Sequence, residues 1–126
     1  MLGFLISRFR SILFALEGWK FVLKHERNAW VHAVASISVF LMAAWLGVGR
    51  YDWVLLVIMV TLVWLAEFLN TSIEAIVDLA SPSHHPLAKI GKDVGAAAVL
   101  IAACSSVLVG LIVLGPPLLE KIQKLF

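Results

Sequence analysis

Four residues near the middle of the chain carry reactive or ligating groups at a helical spacing. Glu67, Asn70, Glu74 and Asp78 sit at i, i+3, i+7 and i+11. At about 100° per residue they fall within roughly an 80° arc of one helix face. Three carboxylates and one amide would then line a single groove. Like charges that close repel unless protons or cations intervene. Hard oxygen donors of this kind suit Mg²⁺, which takes one or two carboxylates together with phosphate oxygens.

The next segment supplies the opposite charge. His85, Lys89, Lys92 and Asp93 open a second helical stretch behind the polar turn 80–85 (ASPSHH). A helix N-terminus and lysines attract phosphate. Lys89 reads as a snorkelling surface lysine, whereas Lys92, beside Asp93 and just before Gly95, reads as functional. Asp78 has two readings, a site acid or a structural partner that holds Lys92 or caps the loop. Glu26 would be an ordinary surface glutamate by itself; opposite a stripe that needs metal it becomes a further candidate ligand.

These residues need elements to hold them, and the composition says what kind. Of the 126 residues 62% are apolar and only 14% charged, with a mean hydropathy of +1.00. A soluble domain this small could not hide so much apolar surface, so lipid is the expected solvent and one domain, 1–126, the expected count. A formal charge of +2 is too small to suggest nucleic-acid binding. Cys104 has no partner for a disulfide and reads as inert packing. Arg8 and Arg10 interrupt the first apolar stretch, so no cleavable signal peptide is expected.

Residues 4–25 mix apolar bulk with Arg8, Arg10, Glu17, Lys20 and Lys24, as expected of an amphipathic helix lying in the membrane interface. Residues 29–48 form the first expected span, since about 20 residues rising 1.5 Å each match a core of about 30 Å. Residues 52–79 form the second, apolar in its first half and acidic at intervals in its second. Pro86 suits the first turn of a third, 86–114, which Pro116 and Pro117 are expected to end. Basic residues cluster in the N-terminal segment and around Lys89 and Lys92, which makes that side, and the N-terminus, cytoplasmic. Trp30, Trp45 and Trp53 fall near span ends, while Trp64 falls mid-span and reads as packing. Glu67 lies about 16 Å along the helix from Asp78, too deep for routine solvation. A charge at the centre of a spanning helix costs about 2.5 kcal/mol or more on insertion scales.

No GxxxxGK[ST] loop, GxGxxG or protein-kinase signature is present. The stretch from Glu67 to Leu100, ExxNTSIEAIVDLxxxxxHPLAKxxKDVGAAAVL, nevertheless closely resembles the prokaryotic diacylglycerol kinase family, which includes undecaprenol kinases. The upstream ALEGWKFVLKHERNAWVHA, Ala15 to Ala33, is similar to the same family. The resemblance implies an all-α integral-membrane fold, a homotrimer of three-span subunits, each with an N-terminal surface helix, and active sites shared between neighbours. It implies ATP as co-substrate and Mg²⁺ as cofactor, with Glu67 as catalytic base and Glu26 and Glu74 as metal ligands. Asn70, His85, Lys92 and Asp93 match positions that bind or orient ATP. Asp78 matches a further acidic position, and Ser83 and His84 fall in the loop over the nucleotide. Enterobacterial-type members carry a second acid six residues after the position of Glu26; this chain has His32 there. ERNxxxH and HPLAK look more like the undecaprenol kinase branch.

The expected reaction is transfer of the γ-phosphoryl group of ATP to the hydroxyl of a membrane lipid in a bacterial plasma membrane. Undecaprenol, giving undecaprenyl phosphate, is favoured; diacylglycerol, giving phosphatidic acid, is the alternative. A small ion-conducting or non-catalytic subunit is the alternative of another class. A pore stripe should continue across the bilayer, and residues 53–66 hold no ionisable group.

Overall fold

The computed structural model describes residues 1–124. It contains four helices and, among the described residues, no strand: α1 Leu2–His25, α2 Arg27–Leu46, α3 Arg50–Ala80 and α4 Pro86–Gln123. The last three are each long and apolar enough to cross a membrane. Most of their large apolar side chains face outward, including Leu41, Leu55, Ile76, Leu100 and Leu111. That is the expected arrangement for helices whose solvent is hydrocarbon.

The connections are short and each has a local cause. A single extended residue, Glu26 (φ −95°, ψ 114°), separates α1 from α2, and its N–H donates to Val22 O at 2.8 Å. α2 ends at Gly47, whose φ of 68° and ψ of 38° place it in the left-handed region that glycine enters at no steric cost. The N–H of Gly47 donates to Ala43 O at 3.0 Å and that of Val48 to the same oxygen at 3.3 Å. This satisfies a carbonyl the helix end would otherwise orphan. Asp52 accepts the Gly49 N–H at 3.0 Å and so starts α3. At the other end of α3, His85 precedes Pro86 as the N-cap of α4, its Nδ1 accepting the Leu87 N–H at 3.2 Å.

α3 and α4 form the principal helix pair, and α2 lies against both. At the end remote from Glu67 a small core gathers Ala43, Leu56, Val113 and Leu114, flanked by stacked Phe40 and Trp53 rings 5.9 Å apart.

α4 continues through Pro116 and Pro117 to Gln123, past the stop expected at 114. Two missing N–H groups free the carbonyls of Ile112 and Val113, yet proline's fixed φ is itself helical. The continuation is tethered by Lys121, which donates to Trp45 O at 2.6 Å and lies 4.4 Å from the centre of the Trp45 ring.

Candidate active site

The acidic helix face forms where α3 passes between α2 and α4. Inward positions of α3 read Leu56, Val63, Glu67, Asn70 and Thr71, so the pattern that buries aliphatic residues at one end buries polar ones at the other. Glu67 is 2% exposed, and Asn70 and Thr71 are buried beside it. Thr71 donates its hydroxyl to Glu67 O at 3.0 Å, the usual back-bond of a buried helical threonine.

Asn70 and Glu74 are joined across one helical turn, the Asn70 amide donating to Glu74 Oε1 at 2.9 Å. The other end of the Asn70 side chain, Oδ1, presses against α4 where Gly95 lacks a Cβ; a methyl group there would overlap it. Gly95 therefore does more than permit close helix packing, since it makes room for one particular amide oxygen.

The charges of both Glu26 and Glu74 bear on Glu67, and that of Glu74 bears also on Lys92. Three carboxylates from α3 and the α1–α2 corner thus share one region. Among the described residues no three of His, Cys, Asp and Glu form a metal cage on their own. The donor set does fit Mg²⁺, which needs only one or two carboxylates when phosphate oxygens complete its shell. Two further hard oxygens nearby, Glu67 Oε2 and Asn70 Oδ1, are buried and have no hydrogen-bond partner.

A second group of residues lines a cleft of about 750 Å³ at the polar end of the α3–α4 hairpin. Asp78, Ser83, His84, His85, Lys92 and Asp93 all border it. Lys92 donates to both oxygens of Asp78, at 2.9 and 3.0 Å. Lys89 pairs with Asp93 at 2.6 Å one turn along α4 and also lines the cleft, so it is not merely a lipid-facing lysine. Because His85 Nδ1 is committed as an acceptor to Leu87, its Nε2 is the ring's free donor.

The residues singled out in the sequence thus fall into two adjoining sets, a buried one around Glu67 and an open one around Lys92, with Glu74 acting on both.

Two contacts escaped sequence reading. Trp19 of α1 packs at a tilt against Trp64 and edge-on against Phe68, with centroids 4.9 and 4.7 Å apart. His32 of α2 places Nε2 3.7 Å from Glu67 Oε2. A signal for His32 was present: it is the one ionisable residue between Asn28 and Gly49, and a lone titratable group in a span is a functional-site hypothesis by default.

A family model described as prokaryotic diacylglycerol kinase matches residues 13–114, which include every site residue above. The chain is 34% identical over 110 residues to the undecaprenol kinase of Bacillus subtilis (strain 168), an alignment covering 87% of this chain and 89% of that one. It is 38% identical over 111 residues to a diacylglycerol kinase of Synechocystis sp., covering 87% of this chain and 63% of that one. It is 39% identical over 98 residues to the diacylglycerol kinase of Escherichia coli (strain K12), covering 72% and 80%.

Proposed function

The chain belongs to the prokaryotic diacylglycerol kinase family, and from that footing we propose how its residues phosphorylate a membrane alcohol, with undecaprenol the favoured acceptor. It is an ATP-dependent lipid kinase. The observation that carries the detailed reading is the buried carboxylate of Glu67, with Oε2 unpartnered among the described residues, on the same helix as Asp78, which borders a cleft that holds two lysines.

In this reading ATP enters from water into the cleft between Asp78 and Asp93. Lys92, steadied by Asp78, faces the phosphates and offsets charge on the transferring group. His85 Nε2, Asn70 and Asp93 orient the nucleotide, and Ser83 and His84 lie over it. Glu26 and Glu74 hold Mg²⁺, which neutralises phosphate charge when bound. Glu67 accepts the hydroxyl proton of the lipid, which reaches it from the bilayer side. Phosphoryl transfer is mainly positioning and electrostatics, so a site that straddles the edge of the membrane meets the requirement of joining an aqueous donor to an apolar acceptor.

The reading extends to a homotrimer with shared active sites, α1 lying on the cytoplasmic surface. Among the described residues, those bordering the cleft lie between Val77 and Asp93, a single helical hairpin. Its facing wall would come from a neighbouring subunit. His32, where enterobacterial-type members carry an acid, favours the polyprenol.

The direct test is purified full-length protein with MgATP and separate micelles of undecaprenol and diacylglycerol, following phosphate transfer to each. Undecaprenyl phosphate is the expected main product. No transfer to either lipid, under conditions where the protein remains folded, overturns the assignment.

Gly95→Ala provides a second check. The added methyl displaces the Asn70 carbonyl oxygen and with it the bond to Glu74. Turnover is expected to fall roughly 10–100-fold, the scale of an ångström-sized misplacement at a reacting centre. The thermal unfolding temperature should change little, because only the tip of one side chain must move. Kinetics and unfolding measured on the same preparation check both halves; unchanged turnover would remove Asn70 from the site.

A further inference from the structure

We propose that His32 and Glu67 form a two-point clamp for the acceptor hydroxyl, His32 Nε2–H donating to its oxygen and Glu67 Oε2 accepting its hydrogen, and that the engagement of neighbouring donors among the described residues selects an alcohol without neighbouring ester groups. The inference deepens the kinase reading and rests on it.

The two atoms are 3.7 Å apart, beyond a direct hydrogen bond. Both are buried and neither has a partner among the described residues. Buried polar atoms are nearly always satisfied, so a facing pair left open asks for a third atom. Both atoms are closed to solvent, so the acceptor must displace a neighbouring side chain on entry; its hydroxyl oxygen, about 2.8 Å from each, then meets the one donor and one acceptor it needs.

Several donors on the neighbouring turns are engaged among the described residues. Trp64 Nε1–H donates to Ser36 Oγ at 3.2 Å, and Ser36 in turn donates to His32 O at 2.6 Å. Thr71 donates to Glu67 O, and the Asn70 amide to Glu74. Trp64 lies edge-on to His32 with centroids 6.5 Å apart, and Trp19 and Phe68 pack against Trp64. A lone hydroxyl on an apolar chain finds both its partners here. Ester carbonyls beside a hydroxyl find none of these engaged donors free, and entering an apolar site without new partners strips them of water.

In the transfer step the hydroxyl oxygen forms a bond to the γ-phosphorus of ATP. The bond from that phosphorus to the β–γ bridging oxygen breaks, and ADP leaves with the electron pair. The hydroxyl proton passes to Glu67 Oε2. His32 keeps its proton and donates throughout, aiming the oxygen.

The experiment compares wild type, His32→Ala and His32→Gln in the micelle assay, with MgATP and each lipid varied in turn. For His32→Ala, kcat/KM towards undecaprenol is expected to fall about 10–100-fold, as for a lost hydrogen bond that strands a buried partner. KM for ATP should stay unchanged. His32→Gln, which retains an N–H donor, should recover most of the loss. Wild type should use undecaprenol at least about tenfold better than diacylglycerol, the discrimination expected when buried polar groups go unpaired. An active wild type with an unaffected His32→Ala variant overturns the clamp, as does an equal rise in KM for lipid and ATP or a failure of the Gln variant to recover. Diacylglycerol used as well as undecaprenol overturns the selectivity. A wild type inactive on both lipids overturns the kinase reading itself, a separate outcome.

Discussion

Glu67→Gln is expected to lower kcat roughly 10³-fold while leaving MgATP binding and helix content intact. General-base groups contribute about 10²–10⁴-fold, and glutamine keeps the shape of glutamate while giving up its ability to take a proton. The site is a favourable place for such a swap. Glu67 Oε2 accepts no hydrogen bond among the described residues, so the amide breaks none there, and the bond from Thr71 to the Glu67 backbone is untouched. The variant also removes a like charge from the vicinity of Glu26 and Glu74, so folding should not suffer. Steady-state kinetics with lipid in excess, alongside nucleotide binding by calorimetry, separate loss of chemistry from loss of binding. Near-normal turnover would show that the proton goes elsewhere.

Glu74→Ala should be nearly as damaging, by a different route. Glu74 is the junction of the two residue sets: it holds the Asn70 amide, and its charge reaches both Glu67 and Lys92. Its loss frees Asn70 and, in the proposed site, would take one carboxylate from Mg²⁺. The Mg²⁺ concentration for half-maximal activity should rise by more than the roughly 10–100-fold typical of losing an outer-shell partner. Saturating Mg²⁺ should restore part of the rate, because Glu26 remains. For the unaltered protein, removing divalent cations with a chelator should stop transfer completely, and readdition should restore it. A Glu74→Ala variant with an unshifted Mg²⁺ dependence would exclude this carboxylate as a ligand.

Both predictions begin from features legible in the chain. The spacing of Glu67, Asn70, Glu74 and Asp78 alone places them on one helix face, because helical geometry is local. The lengths of the apolar runs likewise suffice to mark the three long helices. The bond between Lys92 and Asp78 was one of two readings open for Asp78, since the two residues flank a short turn. Other features depend on how separate helices are rotated against each other, which periodicity does not report. His32 meets Glu67 only because α2 turns that face toward α3. Gly95 meets the Asn70 amide only at one depth of α4 against α3. The passage of α4 through Pro116 and Pro117 defeats a local rule because a distant contact, Lys121 on Trp45, secures the far side.

Glu26 is the entire linker between α1 and α2. A carboxylate in that position is aimed by the crossing of two rods and has no loop to absorb an error. One added residue there would turn one rod by about 100° and shift it about 1.5 Å relative to the other. The corner is therefore a gauge as well as a joint: the settings of the two helices it joins together determine where the Glu26 carboxylate stands.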